Sequence, residues 1–160
     1  MIRKMHPVDS QNVLEIYRMG IETRNATFET VVPSWQDWDS KHLPHSRFVS
    51  EEDNIVTGWA ALSPFSAREP YKGVAEVSIY VATTYRYKNT GSELMKQVIA
   101  SSESNGIWTL FSSVFPENEA TLKLHRKFGF REIGRRERIA RLDGTWRDTI
   151  LLERRSAIVF

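Results

Sequence analysis

Cysteine is absent from all 160 residues. Without a thiol there can be no disulfide, no thiolate nucleophile and no cysteine-ligated zinc; the absence does not discriminate between compartments. Long apolar runs are also missing. None approaches the roughly 18 residues expected of a membrane span, so no membrane partner is expected. The opening segment, Met1-Ile2-Arg3-Lys4-Met5-His6-Pro7, has charge but no apolar stretch of signal-peptide type. No secretory signal is visible, and a cytoplasmic location is the default expectation. There is no strong excess of one charge either. Lys and Arg number 22 against 20 Asp and Glu, a net charge of +2, which implies no general affinity for nucleic acid. Repeats, linkers and low-complexity tracts are absent too.

What is present is ordinary for a soluble chain with a core. The hydrophobic share is 41% and the charged share 26%, and the length suits one domain over residues 1–160. Positive charge gathers late, in Arg131, Arg135, Arg136, Arg138, Arg141, Arg147, Arg154 and Arg155. Glu132, Glu137, Asp143, Asp148 and Glu153 interleave with it. That alternation predicts a salt-bridged β surface rather than an RNA-binding face.

One stretch organises the chain, from Glu76 to Met95. Val77, Ile79 and Val81 alternate with Ser78 and Tyr80, which predicts a strand. A short polar loop follows with Arg86 and Lys88. From Ser92 the residues Leu94, Met95, Val98 and Ile99 recur at helical spacing. A strand, a basic loop and a helix N-terminus together make an anion site, because free backbone N–H groups and the positive end of the helix dipole converge on the turn. A phosphorylated cofactor suits that chemistry. As an isolated motif the segment is equally an ordinary strand-loop-helix unit with solvated cations.

The other elements follow from local signals. Residues 2–6 form a short first strand. Asp9 or Ser10 caps a helix with Val13, Leu14, Ile16, Tyr17 and Ile21 on one face. Ser34 caps a second helix carrying Trp35 and Trp38, expected to end near His45 because Pro44 opposes continuation. Segments 47–51 and 55–62 predict a hairpin turning at Glu52-Asp53-Asn54. The helix begun at Ser92 ends near Asn105-Gly106. Strand 107–114 and helix 119–128 come next, with Gly129 as the stop. A second hairpin turns at Leu142-Asp143-Gly144-Thr145, and its last strand runs from Trp146 to Leu152.

Taken together, Ile16-Tyr17, Ala26-Thr27-Phe28-Glu29, Gly58-Trp59-Ala60, Ala75 to Val81, Phe115-Pro116-Glu117-Asn118, Leu124 to Phe130 and Gly144 to Asp148 resemble the GNAT superfamily of acyl-CoA-dependent N-acetyltransferases. Within it the chain is similar to the phosphinothricin and methionine sulfoximine acetyltransferase branch. The resemblance covers nearly the whole chain. It implies an α+β fold with a mixed, mostly antiparallel twisted sheet of six or seven strands and about four flanking helices. It implies acetyl-CoA as co-substrate, no metal, a small-molecule amine acceptor and a homodimer. One departure stands out. The family's cofactor loop often runs Arg-Gly-Lys-Gly-x-Gly, whereas here it is Arg86-Tyr87-Lys88-Asn89-Thr90-Gly91. Asn tolerates left-handed φ best among residues other than glycine.

The same resemblance assigns roles. Glu76 matches the base that takes a proton from the amine, and His125 a residue that protonates the leaving thiolate. Val81, Ala82 and Thr83 match the strand end that meets the pantetheine arm and polarises the thioester. Arg86, Tyr87, Lys88, Asn89, Thr90, Gly91, Ser92, Glu93 and Leu94 match the pyrophosphate loop and helix start. Asn118 matches a pantetheine-binding asparagine and equally a helix N-cap. Lys127 reaches toward the 3′-phosphate or solvent. Phe28, Glu29, Arg68, Tyr71, Lys72, Gly73 and Val81 match the acceptor pocket, with Arg68 or Lys72 suited to a carboxylate and Glu29 to an amino or imino group. Trp59, Trp146 and Asp148 are assigned to the core or a dimer surface, with Asp148 bracing the site wall. Two alternatives remain open: a non-catalytic acyl-CoA-binding sensor, and acetylation of another amine or a protein N-terminus.

Overall fold

The computed structural model describes residues 1–86 and 88–160, so the expectation placed on Tyr87 lies outside the described residues. The chain runs β1 (Ile2–Lys4), α1 (Ser10–Glu22), α2 (Trp35–Lys41), β2 (Phe48–Glu52), β3 (Ile55–Pro64), β4 (Val74–Val81), α3 (Thr90–Ser104), β5 (Thr109–Val114), α4 (Glu119–Lys127), β6 (Arg131–Leu142) and β7 (Thr145–Arg155). Among the described residues the seven strands form one sheet in the order β1-β2-β3-β4-β5-β7-β6. Every neighbouring pair is antiparallel except β4 with β5. The expected mixed, mostly antiparallel α+β architecture is the observed one.

Local chemistry explains most elements. Asp53 and Asn54 both take left-handed φ, as do Asp143 and Gly144, so two-residue turns close both predicted hairpins. The Ser34 hydroxyl accepts the Asp37 amide at 3.2 Å and starts α2. That helix stops at Lys41, four residues before the predicted end near His45. His42 is already extended at φ −109°, and Leu43, which precedes Pro44, is disfavoured in the helical region. Helix α3 begins at Thr90, two residues before the predicted Ser92, with Asn89 at φ 67° just ahead of it.

Two layers of side chains hold the sheet. On one face, α3 inserts Leu94, Met95, Val98 and Ile99 against Ala60, Leu62, Ala75, Val77 and Leu110. On the other, α1 and α2 pack Val13, Ile16 and Trp38 against Val49, Trp59 and Ala61. Gly58 lets α3 sit close. A Cβ there would lie 2.9 Å from the Tyr80 carbonyl oxygen and 3.1 Å from Leu94 Cδ1, inside normal contact distance. Trp59 is core, only 1% exposed, while Trp146 is 49% exposed with the Arg141 guanidinium over its ring. The late arginines do pair across the β6–β7 surface, Arg131 with Glu153 and Arg135 with Asp148.

Candidate active site

The site exists because two parallel strands part. β4 and β5 pair over three rungs only, Val74 with Thr109, Ala75 with Leu110 and Glu76 with Phe111. Beyond Glu76 the sheet divides, with β4 continuing beside β3 to Val81 and β5 beside β7 to Val114. The Ala82 amide donates to Thr57 of β3 at 2.8 Å. Antiparallel alternation therefore turns the backbone groups of Tyr80, Ser78 and Glu76 toward β3. It turns those of Val81, Ile79 and Val77 toward the opening. The gap displays an unpaired strand edge, with donors and acceptors fixed by the sheet.

Two cavities lie along this gap. The first encloses about 670 Å³ and is lined by both carboxylates expected there, Glu29 and Glu76, together with Phe28, Asn118 and His125. Aromatic groups supply much of its wall: Tyr17, Trp38, His42, Tyr80 and Phe115. These rings interlock. Trp59 stacks on Tyr80 at 4.9 Å, Trp38 on His42 at 3.9 Å, and Phe28 meets Phe115 edge-on at 4.9 Å. Lys41 is the one lysine or arginine among the residues lining this cavity.

Burial sets the protonation states. It pushes the Glu76 carboxyl up from its usual range, with the charge of Arg136 a smaller opposing influence. Burial likewise raises the Tyr80 hydroxyl, so it keeps its proton. His125 is 4% exposed, and burial holds its pKa below the ordinary value, against a hydrogen bond to Thr121. Its Nδ1 lies 2.7 Å from the Thr121 carbonyl oxygen. A carbonyl only accepts, so Nδ1 carries the proton and Nε2 is a bare acceptor. Among the described residues, Nε2 is buried without a protein partner.

The second cavity, about 860 Å³, lies toward the start of α3. Its lining includes Val81, Arg86, Asn89, Thr90, Gly91, Ser92, Asn118 and Lys127. The Asn89 side chain makes no capping bond, so the first amides of α3 are open to a ligand. Lys127 Nζ reaches Ser92 Oγ at 3.1 Å, bringing the end of α4 to the same place. Cations at an uncapped helix start fit a phosphate-bearing ligand. Ala26, Ile79, Tyr80, Asn118, Thr121 and Leu124 line both cavities and form the waist between them.

Not every expected residue arrives. Ala82 is buried under β3, and Leu94 is fully buried behind Gly58. Neither lines a cavity, and nor do Thr83, Lys88 or Glu93. Lys88 sits over the Tyr85 ring at 5.1 Å. Val81 lines the second cavity and not the first. Arg68, Tyr71, Lys72 and Gly73 line neither. Their loop folds back as a short 3₁₀ turn in which Phe65 packs on Tyr71 and Phe111. Arg68 covers Tyr71, and Lys72 pairs with Glu69. The Gly73 carbonyl accepts from Trp108 and Thr109. Asp148 also differs from expectation. Its carboxylate accepts from Arg135 and from the Arg138 amide at 2.8 Å, pinning an irregularity of β6, and it lines neither cavity. Asn118 does cap α4, accepting from Thr121 at 3.3 Å, and also donates to the Asn25 carbonyl at 3.1 Å. Tyr80 and Ser78 were not assigned to the site from sequence, although their period-two spacing from Glu76 is a signal that could have found them. Lys41, His42 and Phe115 carried no such signal.

A pocket suited to a phosphate-bearing ligand, sharing a waist with a smaller acidic, aromatic one, fits group transfer between two bound molecules. Residues 11–130 match the acetyltransferase (GNAT) family. The chain belongs to that family and is an acyl-CoA-dependent N-acetyltransferase. YwnH of Bacillus subtilis is 35% identical over 152 residues, 91% of this chain and 93% of that protein. The L-methionine sulfoximine/L-methionine sulfone acetyltransferase of Pseudomonas aeruginosa is 25% identical over 158 residues, 95% of this chain and 92% of that one. A GNAT superfamily phosphinothricin acetyltransferase from Sinorhizobium meliloti, solved in complex with AcCoA, superimposes with a TM-score of 0.88. It covers 100% of this chain and 95% of its own, at 22% identity.

Proposed function

We propose that the protein moves the acetyl group of acetyl-CoA directly to the primary amine of a small amino-acid-like acceptor of the phosphinothricin, methionine sulfoximine or methionine sulfone type. The observation that carries this is the shared waist: Glu76 lies in one cavity, the anion site in the other, and Ile79 and Tyr80 border both. The names of the similar proteins support the acceptor class.

Acetyl-CoA supplies an activated acyl carbon. The open amides at Thr90, Gly91 and Ser92, with Arg86 and Lys127, would hold its pyrophosphate. The free edge at Ile79 and Val81 would align the pantetheine arm and donate to the thioester oxygen. Glu76 takes the proton from the ammonium form of the acceptor, and its raised affinity for a proton improves it as a base. The amine then forms the N–C bond as the C–S bond breaks. His125 suits accepting better than donating, because its acid form needs a second proton that burial opposes. Tyr80, protonated and at the waist, is the better placed donor to the departing sulfur. Lys41, rather than Arg68 or Lys72, is the cation facing an acceptor carboxylate. A homodimer belongs to the same reading, and exposed Ile133, Ile139 and Trp146 are the apolar surface it would cover.

The test is thiol release from acetyl-CoA against phosphinothricin, methionine sulfoximine, methionine sulfone, common amino acids and polyamines. Release with the glutamate-like group alone is expected. Lys41→Gln should raise KM for those acids by roughly tenfold, one charge-assisted contact. The variant should leave KM unchanged for the corresponding esters. Turnover confined to polyamines would overturn the acceptor class. Acetyl-CoA binding with no turnover of any amine would leave only a binding domain.

A further inference from the structure

We infer that Arg147 is a positioning residue that holds the acceptor-side loop across the mouth of the cleft. It lies on β7, yet its bonds go elsewhere. Nη1 donates to the Arg24 carbonyl at 2.8 Å, and Nη2 lies 3.4 Å from Asn25 Oδ1 and 3.2 Å from Glu117 Oε2. The guanidinium also sits over the Phe115 ring at 4.0 Å, the face-on geometry of a cation–π contact. One side chain thereby joins the loop after α1 to the turn before α4, from opposite sides of the opened sheet.

The loop needs an external hold. Arg24 is at φ 53°, a backbone region that costs a side chain about 1–2 kcal/mol. Beyond it the loop has little apolar anchorage except Phe28, which leans on Phe115, the ring Arg147 covers. Only 16% of the Arg147 side chain is exposed against 62% of Glu117, so the Glu117 contact counts as a surface pair and the hold rests on the Arg24 carbonyl and the Phe115 ring. Arg24 returns the contact by pairing with Asp143 in the β6–β7 turn at 3.0 Å. Phe28 and Glu29 wall the acceptor cavity just beyond this clamp. Arg147 itself lines neither cavity, so it acts through the loop.

The experiment compares wild type, Arg147→Lys and Arg147→Met, measuring KM for acceptor and for acetyl-CoA, kcat, Tm, and hydrogen exchange at residues 24–29. Arg147→Met should raise acceptor KM by roughly tenfold or more through misplacement of the wall. KM for acetyl-CoA should change less, because Arg86, Lys127 and the first amides of α3 are untouched, although the Asn25 and Glu117 partners of Arg147 border the second cavity. Exchange at 24–29 should quicken. Arg147→Lys should recover part of each effect. Lower kcat and Tm with acceptor KM and loop exchange unchanged would overturn the inference, as would equal changes in both KM values. The inference needs an acceptor that is turned over, so it rests on the acetyl-transfer reading. Should wild type acetylate no amine, that reading fails, and loop exchange alone still decides the role of Arg147.

Discussion

Gly58→Ala provides a quantitative test of how the anion site is held. The new methyl would meet the Tyr80 carbonyl oxygen at 2.9 Å, Leu94 Cδ1 at 3.1 Å and Thr90 Cγ2 at 3.4 Å. The first of these is strand backbone and cannot yield. Leu94 is fully buried, so the strain passes to α3, whose first turn carries Thr90, Gly91 and Ser92. Overpacking of this kind costs about 1–3 kcal/mol. For a chain of this size, Tm falls about 2–4 °C per kcal/mol. We expect Gly58→Ala to melt roughly 2–12 °C lower by thermal denaturation. Titration should show weaker acetyl-CoA binding, while acceptor KM at saturating acetyl-CoA stays unchanged. Gly134→Ala is the control, because a Cβ there meets nothing within 4 Å. Unchanged Tm and affinity in Gly58→Ala, or equal losses in the control, would refute the proposed link between Gly58 and the helix start.

Three further outcomes are expected. Glu76→Gln should lower kcat by about 10²–10⁴-fold while acetyl-CoA still binds. Because burial raises the Glu76 pKa, the folded state holds that proton more tightly than the unfolded chain. Its ionisation therefore costs stability as pH rises, and the Gln variant should be the more stable at neutral pH, the gain vanishing below the unfolded pKa of about 4.3; a less stable variant at pH 7 would contradict this. Burial also depresses the pKa of His125 and of His42. Stability should therefore fall as pH drops below about 6.5, by up to about 1.4 kcal/mol per unit for a fully buried imidazole such as His125, and urea midpoints that stay flat between pH 7.5 and 5.5 would argue against it. Asn89→Gly should raise Tm slightly and Asn89→Val should cost about 1–2 kcal/mol, since φ at this position is left-handed; calorimetry showing the reverse order would rule out strain at that position.

The sequence made legible what depends on near neighbours. Asp53-Asn54 and Asp143-Gly144 marked both hairpins because their side chains tolerate the backbone that two-residue turns require. Ser34 marked α2 because its hydroxyl meets an amide three residues on. The alternation from Glu76 to Val81 located the central strand and, through it, the carboxylate in the cleft. The start of α3 was misplaced because Ser92 is a good capping residue, whereas the observed cap, Asn89, works by its backbone angle. The loop from Arg68 to Gly73 was polar enough for a binding wall. Its side chains instead satisfy one another, and which face a loop covers is decided by tertiary packing. Arg147 was invisible as a clamp for a plainer reason: its partners on the α1 side are 122 and 123 residues away, and no local pattern encodes such a pairing.

The strand order has a consequence for how the molecule is made. β7 is the final strand, yet it lies between β5 and β6 and bonds to both. As a ribosome releases the chain from its N-terminus, strands β1 to β4 can pair as they emerge, and α3 can dock behind them. β5 then has only its three rungs on β4, and β6 has no strand partner, until residues 145–155 leave the exit tunnel. The wall opposite Glu76 is therefore completed only after the other six strands have emerged. Until then β5 and the long β6 each present an unpaired edge, the kind of surface that recruits strands from neighbouring chains. The charges that crowd β6 are well placed to guard that interval, keeping nascent copies on one message apart while each waits for its last strand.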